Sequence, residues 1–242
     1  MKQFFTKDKQ IESIIRNINI TKTLYLSSLI VGEPYIGKKT LAIYLFPNAT
    51  IVDGKSDDLN SVIASNEEII IINFEKIKNI DSLDLSNKRV IATTSYISNE
   101  KLIDEKFSFI YQMPSLIERE ADMNILIDRF IIEAKSNLMV QDDIKLNYKK
   151  FDLDNNSKSL RKSIYKQLVY LSIKDDEVET ILYDFLYNRF DGDDIYRKFL
   201  YLYERPLIMA GLKKFKSQLK LSSILGINRN TLRKKINELE LN

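Results

Sequence analysis

Leu24-Tyr-Leu-Ser-Ser-Leu-Ile-Val-Gly-Glu-Pro-Tyr-Ile-Gly-Lys-Lys-Thr40 decides the fold of the front half of the chain. Leu24 to Val31 is apolar, short and closed by Gly32, which predicts a buried strand. Gly32 to Lys38 has the spacing G-x4-G-K, and Leu41 and Leu45 then recur at helical spacing. Strand, glycine loop and helix in that order are the setting in which backbone N–H groups cradle phosphates and a lysine reaches the terminal ones. Gly32, Gly37, Lys38 and Thr40 are therefore the candidate nucleotide-binding residues, with Lys39 standing where the pattern calls for Ser or Thr.

Outward from this stretch, Ile11, Ile14 and Ile15 predict a helix over Lys7 to Asn19. Further strands are predicted at Asn48–Val52, Ile69–Ile72, Arg89–Thr94 and Phe107–Met113, with helical patterns between them. Such alternation gives a parallel α/β sheet. The isoleucine run ends in Asn73-Phe-Glu75, where nucleotide hydrolases carry an Asp for magnesium, often followed by a Glu. Asn73 lacks the charge, and Glu75 sits one place late in sequence.

Composition sets outer limits. The chain has 242 residues, a net charge of +3, no cysteine and no histidine. Disulfides, zinc sites built on His or Cys and any His-dependent acid–base mechanism are excluded, and no catalytic or metal-ligating set is assigned. The apolar runs are short and broken by charges, and Met1 to Asp8 lacks the apolar core of a signal peptide, so no membrane association is expected and the expected compartment is the cytoplasm. From Arg205 to Lys235 there are nine Lys or Arg residues and no acid, set against a net charge of −6 elsewhere. A basic block on an otherwise acidic chain is the footprint of a phosphate-binding face.

Gly32-Glu33, Gly37-Lys38, Arg89-Val-Ile-Ala-Thr-Thr94 and Pro114-Ser-Leu-Ile-Glu-Arg-Glu-Ala-Asp-Met123, in this order, resemble the AAA+ domain of NtrC-type sigma-54 activators. That family shows GESGTGKE, VRVIAATN and PPLRERREDI, and Ser157-Lys-Ser-Leu160 falls at its VREL segment. The resemblance covers roughly residues 7–172 and implies a P-loop-type parallel sheet with a small helical lid. Ile125, Leu126, Phe130 and Ile131, together with Leu160, Ile164, Leu168 and Leu171, would supply the lid.

Departures from the family bear on activity. The sigma-54-engaging GAFTGA loop is missing, Tyr35 replaces a phosphate-loop glycine, and Ser95–Met113 holds no arginine where the family has its arginine fingers. Lys158 stands at the sensor arginine and lacks its bidentate fork. These changes imply a degenerate module that has lost hydrolysis. ATP or ADP binding stays open, since Gly32, Gly37, Lys38 and Thr40 survive.

In the tail, Gly226-Ile-Asn-Arg-Asn-Thr-Leu-Arg-Lys-Lys235 predicts a turn followed by a recognition helix. Gly226 suits a left-handed helix end, Asn228 caps the next helix, and Leu232, Ile236 and Leu239 form its packing stripe. From about Tyr203 the chain resembles the Fis family, which has a glycine in place of Asn230. By that resemblance Asn228, Arg229, Thr231, Arg233 and Lys234 occupy the DNA-contacting positions. Arg229 suits guanine, and Asn228, Thr231 and Lys234 suit phosphate. In the preceding helix Ser217 and Leu219 depart from the family's phosphate-anchoring residues.

Three segments are expected: an α/β core over 1–115, a helical lid over 116–174, and linker helices with the all-α Fis-type helix-turn-helix over 175–242. A long helix from Ile195 to Phe215 is expected to be interrupted near Pro206, and Tyr183, Tyr187, Tyr196, Phe199 and Tyr203 to serve core or dimer packing. The function expected is sequence-specific binding of double-stranded DNA by a homodimeric transcriptional regulator, with RNA polymerase or another regulator as partner and no receiver domain ahead of the AAA+ part. Two rivals stand beside it: a working AAA+ activator or initiator-like ATPase, and an adaptor whose front half binds another protein.

Overall fold

The computed structural model describes residues 4–141 and 144–241. The chain divides into two units, one ending at Ile173 and the other beginning at Lys174.

The first unit alternates helix and strand. Helix α1 (Lys9–Thr21) is capped by Asp8, whose side chain accepts from the Ile11 N–H. Strand β1 (Ser27–Val31) leads through the glycine loop into α2 (Lys38–Leu45). Then follow β2 (Thr50–Asp53), α3 (Leu59–Ser65), β3 (Glu68–Ile72), β4 (Arg89–Thr94), α4 (Glu100–Lys106) and β5 (Phe109–Gln112). All pairings are parallel, and the strand order is β2-β3-β4-β1-β5. Period-two alternation sends Leu29, Val31, Ile69, Ile71, Val90 and Ala92 into one core with Ile103 and Phe107. Ile30, Ile70 and Ile91 enter a second core beneath α1 and α2, with Ile11, Ile14, Ile18, Leu41 and Leu45. Both faces are covered, so the strands are continuous apolar runs. The glycine loop leaves the carboxyl end of β1, the edge at which open α/β sheets hold ligands.

Strand boundaries differ from expectation by one to three residues, β2 running Thr50–Asp53 and β3 starting at Glu68, and the starts of β1 and β5 have clear causes. β1 begins at Ser27, because Leu24 N–H bonds back to Thr21 C=O and closes a turn after α1, leaving Leu24 and Tyr25 exposed. β5 begins at Phe109, because Phe107 closes α4, donating its N–H to Ile103 C=O, and its ring packs edge-on to Phe74 at 5.0 Å.

Helices α5 (Glu120–Asn137) and α6 (Asn156–Ser172) form a separate cluster around Leu116, Ile127, Ala134, Leu160, Ile164 and Leu168. Leu171 is exposed and takes no part in it.

The second unit is all helical: α7 (Asp175–Tyr187), α8 (Ile195–Phe215), α9 (Gln218–Leu225) and α10 (Arg229–Glu238). α8 runs unbroken through Pro206, which corrects the expected interruption. Proline removes one backbone donor from the ladder, and here the flanking turns hold the helix. The core is Ile208, Leu221, Leu232 and Ile236. Gly211 sits where α8 meets α9. A Cβ there would lie 2.3 Å from Leu221 Cδ1. Tyr183, Tyr187, Tyr196 and Tyr203 are exposed and do not pack into this core.

Candidate functional site

In the helical unit, Ser217 caps α9, its Oγ accepting from the Lys220 N–H at 3.3 Å. Gly226 ends α9 at φ +65°, a conformation that glycine takes without steric cost. Gly226 N–H donates to Ser223 C=O and Ile227 N–H to Ser222 C=O, so the last carbonyls of α9 are satisfied. Asn228, extended at φ −63° and ψ 144°, then caps α10, its Oδ1 accepting from the Asn230 N–H at 2.8 Å. Leu232 and Ile236 are buried and Leu239 is half-buried. Helix, three-residue turn (Gly226 to Asn228) and second helix are thereby fixed as a helix-turn-helix.

The expected DNA-contacting residues all lie at this end. Asn228, Arg229, Thr231, Arg233 and Lys234 are exposed. Lys234 makes only a surface pair with Glu238 at 3.7 Å, which solvent weakens. Lys235 is different: its Nζ bonds Glu204 at 2.5 Å, half-buried on the inner flank of α10. Its charge is committed to the fold. Asn230, expected outside the packing stripe, is exposed on α10, as is Asn237, which sequence reasoning did not single out. Leu219, which departs from the family's phosphate-anchoring residue, is exposed on α9.

In the α/β unit, the glycine loop holds the left-handed geometry of a phosphate cradle. Gly37 has φ +105°, and Tyr35 takes φ +62° despite its side chain. Replacement of glycine by Tyr35 therefore leaves the backbone turn intact, at a cost on the order of 1 kcal/mol. Gly32 packs so closely on Met113 that a Cβ would lie 2.5 Å from its carbonyl oxygen. Lys38 is buried, and its Nζ donates to the carbonyls of Gly32 at 2.5 Å and Glu33 at 2.6 Å. Burial lowers its pKa to about 8, against the opposing pull of Glu75 and Glu33.

Glu75 is the second departure from expectation. Asn73 adopts φ +55° and opens a short 3-10 turn, Phe74–Lys76, which re-aims the chain after β3. The Glu75 carboxylate then accepts from Thr94 Oγ1 at 3.0 Å and from the Ser95 N–H at 3.2 Å, at the carboxyl end of β4. Its charge acts on Lys38. Asn73 itself donates to Asp53 Oδ2 at 2.8 Å.

The start of α6 is bonded to the loop. Asn156 Nδ2 donates to Glu33 Oε2 at 2.9 Å and to Pro34 C=O at 3.1 Å, while its Oδ1 accepts from the Leu116 N–H at 2.8 Å. Ser157 bonds the Tyr35 carbonyl through both its N–H and its Oγ. Lys158 lies over the Tyr35 ring at 4.6 Å and donates to its hydroxyl at 3.2 Å. A cavity of about 790 Å³ opens beside Gly37 and Thr40, lined also by Phe4, Ile36, Arg119 and Phe130. Arg119, buried, ties Ile36 C=O at 2.7 Å to Asp122 at 3.2 Å, and Asp122 anchors Thr6 and Lys7. Of the four expected nucleotide-binding residues, Gly37 and Thr40 line this cavity, while Lys38 is bonded to the Gly32 carbonyl and neither of those two lines it. Among the described residues no group of three or more acids could hold a metal ion, and no helix is long and apolar enough to cross a membrane.

Residues 200–239 match the family model described as bacterial regulatory protein, Fis family. No curated protein matches the chain. Among solved structures, NtrX from Brucella abortus is similar with a TM-score of 0.55 at 12% identity, covering 98% of this chain and 69% of that one. The NtrX structure in complex with ATP gives 0.54 at 11% identity, with coverage of 98% and 69%. That in complex with ADP gives 0.54 at 12%, with 98% and 70%. At such identity the likeness is one of fold. The chain shares with these structures the fold of a parallel α/β module followed by an all-helical region, and its C-terminal helix-turn-helix lies within the stretch that matches the Fis-family model.

Proposed function

We propose that this protein is a sequence-specific, double-stranded-DNA-binding transcriptional regulator that acts in the cytoplasm as a homodimer. The observation that carries this reading is the outer face of α10. Arg229, Thr231 and Arg233 are exposed, and their side chains have no partner among the described residues, within a 31-residue stretch free of acids. Arg229 suits a guanine edge; Asn228, Thr231 and Lys234 suit phosphates. One such unit covers too little DNA to be specific, which favours two copies on two half-sites. RNA polymerase or another regulator would be the protein partner. Segment limits of 1–115, 116–174 and 175–242 remain part of the proposal. Arg233→Ala is expected to weaken binding to a selected duplex at least tenfold, with an unchanged circular dichroism spectrum. Unchanged affinity in an anisotropy titration would overturn the assignment of α10.

The AAA+ module, in this reading, is a vestigial body that binds ATP or ADP without turning it over. Gly32, Gly37, Lys38 and Thr40 keep the cradle, and the similar NtrX has been solved with both nucleotides. Asn73 in place of an acidic metal ligand and Lys158 in place of a forked arginine argue against hydrolysis. A working ATPase is the second reading, and Glu75 beside Lys38 is what favours it. ATP turnover at background level is expected for the wild-type chain. Turnover abolished by Lys38→Ala would establish the second reading instead.

A further inference from the structure

On an α-helix each residue advances by about 100°, so the stations of α10 can be placed around its axis. Leu232, Ile236 and Leu239 define the buried side. Opposite to them, within a strip of about 100°, stand Arg233, Asn237, Asn230 and Lys234. Arg229 and Thr231 lie on the two flanks. The centre of the face turned to solvent is therefore held by two asparagines.

Neither asparagine has a structural duty. Asn228 already caps the helix, accepting from the Asn230 N–H. The left-handed residue past the end is Glu240, at φ +52°, and not Asn237. Both side chains are exposed, and neither carboxamide has a hydrogen-bond partner among the described residues. Asparagine is a poor choice for an exposed helical position, where its amide competes with the backbone. Two of them on one strip are costs that the fold does not explain.

A carboxamide offers one donor and one acceptor side by side, the complement of adenine N6–H and N7 in the major groove. The seven residues from Asn230 to Asn237 rise about 10 Å, and base pairs repeat at about 3.4 Å, so the two amides span about three steps. We propose that Asn230 and Asn237 are specificity-determining residues that read two adenines about three base pairs apart in each half-site, with the Arg233 guanidinium between them. The inference rests on the reading of α10 as a DNA-recognition helix and adds to it which bases are demanded.

The test uses the full-length chain and a random duplex pool. Wild type is expected to select half-sites with two A·T pairs at that spacing. Asn230→Ala and Asn237→Ala should each lose discrimination at one of the two positions, by about tenfold to a hundredfold, while affinity for random duplex at low salt is kept. Thermal melts of both variants are expected at or slightly above wild type, since neither side chain is bonded and alanine favours the helix more than asparagine does. If wild type selects a sequence and either variant keeps the same preference, the asparagine pair is overturned while the DNA-binding reading stands. If wild type selects no sequence, that reading fails and the pair falls with it.

Discussion

Lys38 shows how much one residue can report. Its ammonium is buried against two carbonyls, and burial brings its pKa down from 10.5 to about 8. In the unfolded chain the group holds its proton to higher pH. Between about pH 8 and 10.5 the unfolded state therefore binds more protons, and linkage makes Lys38's contribution to stability rise with pH through that window. Relative to Lys38→Met, wild type is expected to gain melting temperature from pH 7.5 to pH 10. A constant gap across that range would mean that the lysine is not buried as seen. Any nucleotide held at this loop needs the charged ammonium, so affinity for ATP should fall as pH passes 8, which calorimetry at pH 7 and pH 9 measures. The lysine was legible in G-x4-G-K, but its neighbours were not. Glu75 acts on it through its charge, from a turn that Asn73 opens in the left-handed region, and a single positive φ at a non-glycine residue leaves no mark in a hydrophobic pattern. Tyr35 is the same case: sequence gives the missing glycine, while only the fold shows its carbonyl and ring taken up by Ser157 and Lys158.

At the scale of elements, strands were easier to find than their ends. Arg89–Thr94 is found whole and Glu68–Ile72 all but Glu68, since both faces of the sheet are covered. Leu24 and Tyr25 continue the same apolar run, but a turn closed by Thr21 holds them out of the sheet. Pro206 misled in the opposite sense, because missing one donor does not break a 21-residue helix. Gly211 carried no signal at all, being one small residue inside a helix, yet it sets the distance between α8 and α9. Gly211→Ala adds a methyl group 2.3 Å from Leu221 Cδ1. Overpacking of this kind costs about 1–3 kcal/mol, against up to about 1 kcal/mol gained in helix propensity. A net loss in the stability of the helical unit is expected, with weaker DNA binding as a consequence. Leu221→Ala on the Gly211→Ala background should recover part of that loss in the overpacking term, measured as a positive coupling in a double-mutant cycle.

At the scale of the molecule, α7 is the unsolved surface of the helical unit. It spans 13 residues and buries none of them. Val178, Ile181, Tyr183 and Tyr187 are exposed on it, and Tyr196 and Tyr203 are exposed on α8. The tyrosines stack within the helix, Tyr183 on Tyr187 at 5.9 Å, and Phe185 meets Phe199 edge-on at 6.4 Å. A helix of this length is marginal in water without an apolar partner, and an apolar patch of this size on a soluble domain marks an interface. In the proposed homodimer a second copy would cover it, since paired helix-turn-helix units on a two-fold site need a self-complementary seam. Ile181→Asp places a carboxylate in that seam without touching α9 or α10. Sedimentation should then show a monomer, against the dimer proposed for wild type. Binding to a full two-half-site duplex should fall about a hundredfold as the linkage between half-sites is lost, while binding to an isolated half-site stays as in wild type. A variant that remains dimeric and binds the full site normally would place the seam elsewhere on the chain.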